Sequence, residues 1–327
     1  MKSIGPLLDQ YFRKFDQIGQ KPGVLTYFIW LLRGLVNKPS RNYPALKRYF
    51  FANRRSTKAA LALDDAPEIE VIFVSKLEDI KILGLAVNSV VKNSINPISR
   101  VVIAVPSNQY IPTSEYFLDS ENKNLVEVIS ENELVPQAAI ELIKQKLPER
   151  FGWILQQILV ASFILSTKSE NVLIVDSDTL IIRPQVWVDK FKKQILMPTF
   201  ELHLPYYKFF QHLSTKYPKP RMSFVSHHML VQTSIFREVY QIFGGDVYNA
   251  LEQAFTFADL RDNSPFDLKY EIYAQYLINN HKDQVSFVKW ANLSCSRRQL
   301  ATLIEGKSTT DGYERLYNSL SLHHWNN

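Results

Sequence analysis

The sequence predicts an α/β protein with a mixed, mainly parallel sheet that is flanked by helices. Two apolar runs, 70–75 and 100–106, have the length and composition of buried strands. Between them, the apolar residues of 79–93 recur close to every 3.6 positions, which is typical of a helix. A strand, a helix and a second strand in this order form a βαβ unit, which implies a parallel pair with a right-handed crossover.

Further periodic and apolar stretches continue this alternation towards the C-terminus. We expect strands where apolar residues run unbroken and helices where they recur with a helical period. The expected strands cover residues 125–129, 195–200, 222–231 and 285–288, and the expected helices cover 138–146, 151–166, 234–243 and 270–279. Residues 108–124 and the aromatic stretch 206–210 are expected to be loops.

The stretch 171–184 combines a buried strand with two acidic residues. Residues 172–175 are an unbroken apolar run, which is typical of a strand that is buried on both faces. Asp176 and Asp178 follow, and their side chains would share one side of an extended backbone. Mg²⁺ or Mn²⁺ would relieve the repulsion between two such carboxylates, and these ions commonly also hold substrate phosphates. In the local alternative, Asp176 ends the strand and Asp178 is a turn residue.

The positive charge of the chain is confined to residues 1–60. These residues hold twelve Lys and Arg and two acids, Asp9 and Asp16, which gives +10, whereas the whole chain carries +6. Residues 61–327 therefore carry −4. No nucleic-acid recognition motif accompanies the basic residues, so nucleic acid is not an expected partner.

Residues 1–60 are expected to form a basic helical segment, which a linker at 61–68 joins to one domain at 69–327. The apolar run 24–32 is too short to cross a bilayer, which takes about 20 residues. Two placements stay open. Either the run lies in a membrane interface with Phe28 and Trp30 inserted and the basic residues on anionic headgroups, or it packs on the domain.

Cysteine usage and the N-terminus bear on the compartment. Cys295 is the single cysteine, which excludes an intramolecular disulfide and argues against a cysteine-based zinc site. No N-terminal stretch combines a compact apolar core with a small-residue cleavage site. The expected location is the cytoplasm, either free or peripheral on the inner face of the membrane.

Five short motifs follow one another after the first βαβ unit: Gly152-Trp153, Gln156-Gln157, Asp176-Ser-Asp178, Ser226-His-His-Met229 and Tyr270-Glu-Ile-Tyr273. In this order, within residues 68–327, they resemble the nucleotide-sugar-dependent glycosyltransferases of the GT-A fold. More narrowly, they resemble a bacterial glycosyltransferase-like family. Members of that family often carry a Lys shortly after the Gln pair, where this chain has Ile158-Leu-Val-Ala161, so a basic donor contact from this helix is in doubt.

The resemblance implies a GT-A-like, Rossmann-like sheet and a Mn²⁺ or Mg²⁺ ion that bridges the diphosphate of a nucleotide sugar. The implied metal ligands are Asp176, Asp178 and a C-terminal His. Adjacent residues of a strand face opposite ways, so His323 and His324 cannot both face one ion, and we choose His323. The donor would lie at the carboxyl ends of the first parallel strands. The donor-binding residues expected there are Ser75, Lys76, Asp79, Gln157, Asp176 and Ser177.

Several of these residues have a structural alternative. Asp79 is also suited to the N-terminus of a helix, where an acidic side chain favours the helix dipole. Gln157 also fits an ordinary half-exposed helix position, and the two C-terminal histidines also fit an exposed tail.

The acceptor side is expected to involve two further pairs of residues. His227 and His228 stand where acceptor-side residues often lie in the resembling fold, although a His in a strand is usually structural. Asp267 and Glu271 are four apart and would share one face of a helix. As catalytic groups, they would deprotonate an acceptor hydroxyl or stabilise oxocarbenium-like charge. Their alternative is a solvated acidic face.

The preferred hypothesis is a metal-dependent glycosyltransferase with a nucleotide-sugar donor and a saccharide or lipid-linked acceptor. Cell-surface polysaccharide or glycolipid synthesis is the setting that we expect. A sugar nucleotidyltransferase is the second hypothesis, but the loop at 75–79 lacks the glycines that would cradle phosphates. A non-catalytic basic adaptor at a membrane surface is the third, and the intact acidic pair argues against it.

Overall fold

A central five-stranded sheet organises the molecule. The structure, a computed structural model, describes residues 66–199, 203–214, 223–288, 290–295, 301–303, 305, 310, 312–315 and 317–322. The strands are β1 (Ile69–Val74), β2 (Ile98–Val105), β3 (Val126–Ser130), β4 (Asn171–Val175), β5 (Thr179–Ile181), β6 (Gln194–Leu196), β7 (His228–Gln232), β8 (Val285–Phe287), β9 (Asn292–Ser294) and β10 (Ser319–Ser321).

The central sheet has the order β3-β2-β1-β4-β7. β1 pairs in parallel with β2 and β4, and β2 pairs in parallel with β3, whereas β7 runs antiparallel to β4. The predicted βαβ unit and the mixed, mainly parallel sheet are therefore confirmed. The carboxyl ends of β1, β2 and β4 meet at one edge of the sheet, where open α/β sheets bind their ligands.

Nine α-helices lie within the described residues. They are α1 (Ile80–Asn93), α2 (Tyr110–Leu118), α3 (Glu131–Leu134), α4 (Gln137–Lys146), α5 (Phe151–Ser166), α6 (Leu204–Leu213), α7 (Thr233–Gln241), α8 (Val247–Phe257) and α9 (Glu271–Asn280).

Helices and loops cover both faces of the central sheet. All five residues of β4 are buried, and the four apolar ones alternate between the two apolar clusters of the core. Val172 and Ile174 pack with α5, α7 and α9, whereas Leu173 and Val175 pack with α1 and the C-terminal strands. The expectation that this strand is buried on both faces is confirmed.

A three-stranded sheet in the order β5-β10-β9 adjoins the end of β4. β10 runs antiparallel to β5 and pairs Ser321 with Thr179. The adjacent Leu322 donates its N–H to the Asp178 carbonyl oxygen at 2.9 Å. The C-terminal part of the described chain therefore returns to the acidic motif.

Two stretches that were expected to be loops are helices. In α2, Thr113 and Phe117 are buried four positions apart, and in α6 the aromatic residues Tyr207, Phe209 and Phe210 are buried. Each helix has a proline in its first turn, where the missing N–H would have no partner in the helix. The prolines and the clustered aromatics resembled loop signals, but they are compatible with these helix starts.

The strand that was expected at 222–231 begins six residues later, because β7 starts at His228. His227 has a φ of 63°, in the left-handed region, which cannot continue a strand. The helix α7 starts at Thr233 rather than after a Ser234 cap and ends at Gln241. α8 was not predicted.

The arrangement of Asp267 and Glu271 also differs from the expectation that they share one helix. Asp267 precedes α9, which begins at Glu271, so the two carboxylates do not share one face of a helix.

No helix of the described residues is long and apolar enough to cross a membrane. Residues 1–60, and with them the predicted basic segment, lie outside the described residues, so its two placements stay predictions.

Candidate active site

Asp176 and Asp178 lie in a turn between β4 and β5. The Thr179 N–H donates to the Asp176 carbonyl oxygen at 3.0 Å, which closes the turn. The expectation that the two carboxylates lie in extended backbone is wrong, because β4 ends at Val175. The turn still keeps both charges near one group: Asp176 and Asp178 each contribute to the raised pKa of the Tyr270 hydroxyl.

Three side chains contact the Asp176 carboxylate. Its Oδ1 accepts hydrogen bonds from the Lys269 ammonium at 3.1 Å and from the Tyr270 hydroxyl at 2.9 Å. Its Oδ2 lies 3.3 Å from Nδ1 of His227. The side chains of Asp176 and His227 stay 22% and 19% exposed, whereas that of Lys269 is 7% exposed. The cluster is thus a largely buried ion pair with a side that remains open to solvent.

The charges of this cluster fix its protonation. Burial by itself would raise the pKa of Asp176, but Lys269, together with His227 and Tyr270, holds that pKa well below its usual range. Burial, followed by the charge of Asp176, raises the pKa of Tyr270 well above its ordinary value of 10.0. At neutral pH Asp176 is therefore an ionised acceptor and Tyr270 is a neutral donor.

His227 reaches the cluster from an unusual backbone conformation. Its φ of 63° lies in a region that residues with a Cβ seldom adopt. Its carbonyl oxygen accepts the Asp176 N–H at 2.8 Å, so backbone and side chain both contact Asp176. Strained residues of this kind cluster at functional sites.

The segment 266–270 carries Lys269 and Tyr270, and neighbouring elements fix its backbone. The Leu268 N–H donates to Oε1 of Gln157 at 2.8 Å. The Leu268 carbonyl oxygen accepts the Tyr240 hydroxyl at 3.0 Å. Gln157, which was predicted to bind the donor, is therefore not half-exposed but buried, and its observed contact orders the chain next to Asp176.

Asp267 holds the end of the same segment. Its carboxylate accepts the N–H groups of Glu271 at 2.6 Å and Ile272 at 3.2 Å, which caps the N-terminus of α9. The side chain is buried, and burial raises the pKa of Asp267 although the backbone N–H groups oppose this shift.

Glu271 lies at the centre of a buried network. Its carboxylate accepts hydrogen bonds from the Tyr207 hydroxyl, from the Phe224 N–H at 2.9 Å and from the Gln275 amide at 2.9 Å. Burial raises the pKa of Glu271 to about 7 despite these donors. Glu271 is 0% exposed and Asp267 is 4% exposed, so the alternative of a solvated acidic face is wrong.

The two histidines of the Ser226–Met229 motif have different surroundings. His228 is 0% exposed and lies between the rings of Trp187 and Trp290, with centroid distances of 5.3 and 4.3 Å. Burial, together with the charge of His227, lowers its pKa to about 3. In this arrangement His227 borders the open side of the cluster, and His228 is part of the core.

The remaining predicted donor residues lie at the carboxyl ends of β1 and β4, which are adjacent strands. Ser75 is buried directly after β1, and Lys76 is exposed. Asp79 precedes α1, and its side chain makes no capping hydrogen bond there. Ser177 is half-buried in the turn between the two acidic residues.

The described residues by themselves do not complete a Mn²⁺ or Mg²⁺ centre. They contain no group of three or more His, Cys, Asp and Glu side chains that is suited to a metal ion. Both oxygens of Asp176 contact neighbouring side chains, one of which is the Lys269 ammonium. The predicted third ligand, His323, follows Leu322 in sequence and lies outside the described residues. The metal therefore stays a prediction.

Lys269 and Tyr270 are the site residues that sequence reasoning missed. Both lie in the stretch Phe266-Asp-Leu-Lys-Tyr-Glu271, in which only Asp267 and Glu271 were predicted to be site residues. A partial signal was present, because the lysine follows an apolar residue and precedes a mostly apolar helix. Its contact with Asp176 joins residues 93 positions apart, which no local pattern reveals.

No protein-family model matches the chain, and no curated protein sequence matches it. Similar folds occur among solved structures. A galactosyltransferase, LgtC, in complex with donor and acceptor sugar analogs has 14% identity and a TM-score of 0.47 over 79% of this chain and 90% of that chain.

Two other solved structures have comparable similarity. Mouse xyloside xylosyltransferase 1 in its apo form has 10% identity and a TM-score of 0.42 over 80% of this chain and 99% of that chain. The bifunctional glycosyltransferase WbbM has 10% identity and a TM-score of 0.40 over 80% of this chain and 46% of that chain. These similarities concern the chain fold, and no residue role follows from them.

Proposed function

We propose that the protein is a glycosyltransferase that moves a sugar from a nucleotide-sugar donor to an acceptor hydroxyl. The observation that carries the proposal is the convergence of Asp176, His227, Lys269 and Tyr270 at the carboxyl end of β4. The cluster combines an ionised carboxylate, an ammonium and a neutral hydroxyl at a partly open sheet edge. Such an edge is the usual ligand site of an open α/β sheet.

In the proposed reaction the nucleoside diphosphate is the leaving group. The acceptor oxygen forms a bond to the anomeric carbon of the sugar, and the bond from that carbon to the phosphate oxygen breaks. The bonding electrons stay on the diphosphate, and the acceptor hydroxyl loses its proton to a base. Fixed positive charge and hydrogen-bond donors beside the diphosphate favour this step, because negative charge grows there.

The donor is assigned to the edge formed by the ends of β1 and β4. Ser75, Lys76, Asp79 and Ser177 stand along this edge. Gln157 contributes indirectly in this proposal, because it fixes Leu268 beside Lys269. The predicted Mn²⁺ or Mg²⁺, held by Asp176, Asp178 and His323, would neutralise the diphosphate if the ligand set were completed outside the described residues.

The acceptor side is assigned to His227, which borders the open side of the cluster. His228, the other predicted acceptor-binding residue, could contact an acceptor only if the core opened, since Trp187 and Trp290 pack against it. Asp267 and Glu271 are predicted catalytic groups whose present contacts fix α9 and the segment before it. A saccharide or a lipid-linked sugar is the proposed acceptor class, met in the cytoplasm or at the inner face of a membrane.

Release of nucleoside diphosphate tests the proposal. The full chain is incubated with UDP-, GDP-, ADP- and CDP-linked sugars, with a saccharide mixture, and in the presence of either EDTA or Mn²⁺. We expect one donor class to be consumed. Asp178→Asn should slow any Mn²⁺-dependent release by at least about tenfold, because Asp178 is a predicted ligand of the metal that would offset the charge of the diphosphate.

Asp283→Asn is the matched control, since Asp283 is exposed and lies in a 3₁₀ turn after α9. It should release nucleoside diphosphate at the rate of the unaltered protein. The proposal is wrong if no donor is consumed under either condition. Release that requires Mn²⁺ and is as fast in Asp178→Asn as in the control would contradict the predicted metal ligand.

A further inference from the structure

The acidic motif has a cation of its own. Lys269 is 6% exposed as a whole residue, and its ammonium lies 3.1 Å from Oδ1 of Asp176. An ionised lysine is seldom buried unless a charged partner offsets the loss of hydration. Asp176 is that partner, so the pair is close to neutral.

The described residues use one of the hydrogen-bond donors of the Lys269 ammonium. It carries three N–H donors, and Oδ1 of Asp176 is its one hydrogen-bond acceptor among the residues that the structure describes. The ring of Tyr270 covers another side, with its centroid 4.2 Å from Nζ. A buried ammonium with spare donors favours an additional acceptor, and the oxygens of a diphosphate are acceptors of the matching charge.

Hydrogen bonds from neighbouring elements fix the backbone of the segment that carries Lys269. Gln157 and Tyr240 bind the N–H and the carbonyl oxygen of Leu268. Asp267 binds the N–H groups at the start of α9. The lysine stem is therefore anchored at its base, and its charge is held in place before any ligand arrives.

We propose that Lys269 is the resident counter-ion of this site, and that it, rather than a divalent metal, makes the binding of a nucleoside diphosphate beside Asp176 and Asp178 favourable. The inference rests on the proposed function, because it names the group that receives the donor's diphosphate. It differs from the sequence-based hypothesis in the source of the positive charge.

Geometry favours the lysine over a metal at this carboxylate. A dication bound to Asp176 would lie a few ångströms from the ammonium, and like charges at that distance repel strongly where water is scarce. The Tyr270 hydroxyl and His227 Nδ1 also contact the oxygens that a metal would need. A metal would have to displace these partners, whereas a diphosphate uses the donors that remain.

Calorimetric binding of UDP, GDP, ADP and CDP, in EDTA and again in Mn²⁺, tests the inference. We expect the unaltered protein to bind one of them in EDTA, and Lys269→Met to weaken that binding by at least about tenfold. Lys269→Arg keeps the charge and should retain most of the affinity. Lys282→Met, which removes an exposed lysine after α9, should bind as the unaltered protein does.

A second expectation separates the counter-ion from a structural role. Lys269→Met removes the ammonium that contacts Asp176, so added Mn²⁺ should improve UDP or GDP binding more in this variant than in the unaltered protein. If Lys269→Met fails to fold, Asp176→Asn combined with Lys269→Met removes both charges of the buried pair. This double variant should fold and should bind none of the four nucleotides in either condition.

Three results would overturn the inference. One is binding by the unaltered protein that requires Mn²⁺, in which case the glycosyltransferase proposal stands with a metal. Another is undiminished EDTA binding by Lys269→Met or by the double variant. The third is the absence of binding by all four nucleotides in both conditions, which would overturn the proposed function as well.

Discussion

His227 illustrates how a single residue ties the backbone to the chemistry of the site. It is one of two non-glycine residues with a positive φ in the described part of the chain; the other is Lys192. A left-handed conformation costs a residue with a Cβ about 1–2 kcal/mol. Here it directs the backbone carbonyl of His227 to the Asp176 N–H and the imidazole to the Asp176 carboxylate. The strain is thus associated with two contacts to the same acidic residue.

Glu271 leads to a prediction about pH and stability. Its ordinary pKa is 4.5, and burial raises it to about 7 in the folded protein. The folded state therefore favours the protonated carboxyl, so this contribution to the free energy of unfolding is present below pH 4.5 and is lost as the pH rises through 7. A shift of this size corresponds to at most about 3 kcal/mol.

Urea unfolding of the protein and of Glu271→Gln at several pH values between 5 and 8 measures this contribution. Gln has the same size and no charge, so we expect a flatter pH dependence in the variant. Parallel slopes for the two proteins would contradict the prediction. The same variant tests the predicted catalytic role, because loss of a positioned acid or base slows transfer by roughly 10²–10⁴-fold without an equal loss of donor binding.

Individual residues were predictable where chemistry is local in sequence. Asp176 follows an unbroken apolar strand, and that placement was visible without a structure. Lys269 and Tyr270 acquire their roles only through contacts with a residue more than ninety positions away. His228 has the same type of side chain as His227, so the sequence does not distinguish them. Contacts with two indole rings place His228 in the core.

Helices and strands were predictable where the pattern of apolar residues was clear and no proline or aromatic cluster suggested a loop. β1, β2 and β4 each contain an unbroken apolar run, and α1 buries residues at helical spacing, so all four were identified from the sequence. The helices α2 and α6 were missed, because proline and clustered aromatics were taken as loop signals. The left-handed backbone of His227 delays the start of β7, and that conformation leaves no signature in a single sequence.

The start of α9 leads to a prediction at the scale of one element. Asp267 caps this helix with bonds to the N–H groups of Glu271 and Ile272, and the same turn carries Lys269. We expect Asp267→Ala to lower the free energy of unfolding by about 1–2 kcal/mol. It should also weaken nucleoside diphosphate binding, because the lysine loses its fixed base. Asp267→Asn keeps an acceptor and should lose less of both.

Asp246→Ala provides the matched control for that experiment. Asp246 caps α8 from an exposed position and accepts the Asn249 N–H at 2.9 Å. Its loss should cost a similar amount of stability in urea unfolding and should leave nucleotide affinity unchanged. Equal nucleotide affinity in Asp267→Ala and Asp246→Ala would mean that the cap of α9 does not position the site.

At the scale of the whole molecule, the N-terminal segment and the rest of the chain carry net charges of opposite sign. Residues 1–60 carry +10, and residues 61–327, which include the site, carry −4. An acidic body repels an anionic membrane, whereas a basic segment is attracted to one. A segment that binds the membrane would therefore hold the sheet edge near acceptors that are confined to the bilayer surface.

The last prediction is that residues 1–60 tether the protein to an anionic leaflet. Each basic residue close to such a surface contributes about 1 kcal/mol, and the insertion of Phe28 and Trp30 would add apolar burial. Several terms of this size suffice for reversible binding, which high salt should weaken by screening.

Flotation with phosphatidylglycerol-containing vesicles measures the tether, with phosphatidylcholine vesicles as the uncharged control. The full chain should float with the anionic vesicles at low salt, and a truncated protein that starts at Ala66 should stay in the soluble fraction. Phe28→Ser combined with Trp30→Ser should reduce flotation without any change in charge, because apolar insertion is lost. If the full chain and the truncated protein partition equally, the segment packs on the domain and the acceptor is reached without a membrane tether.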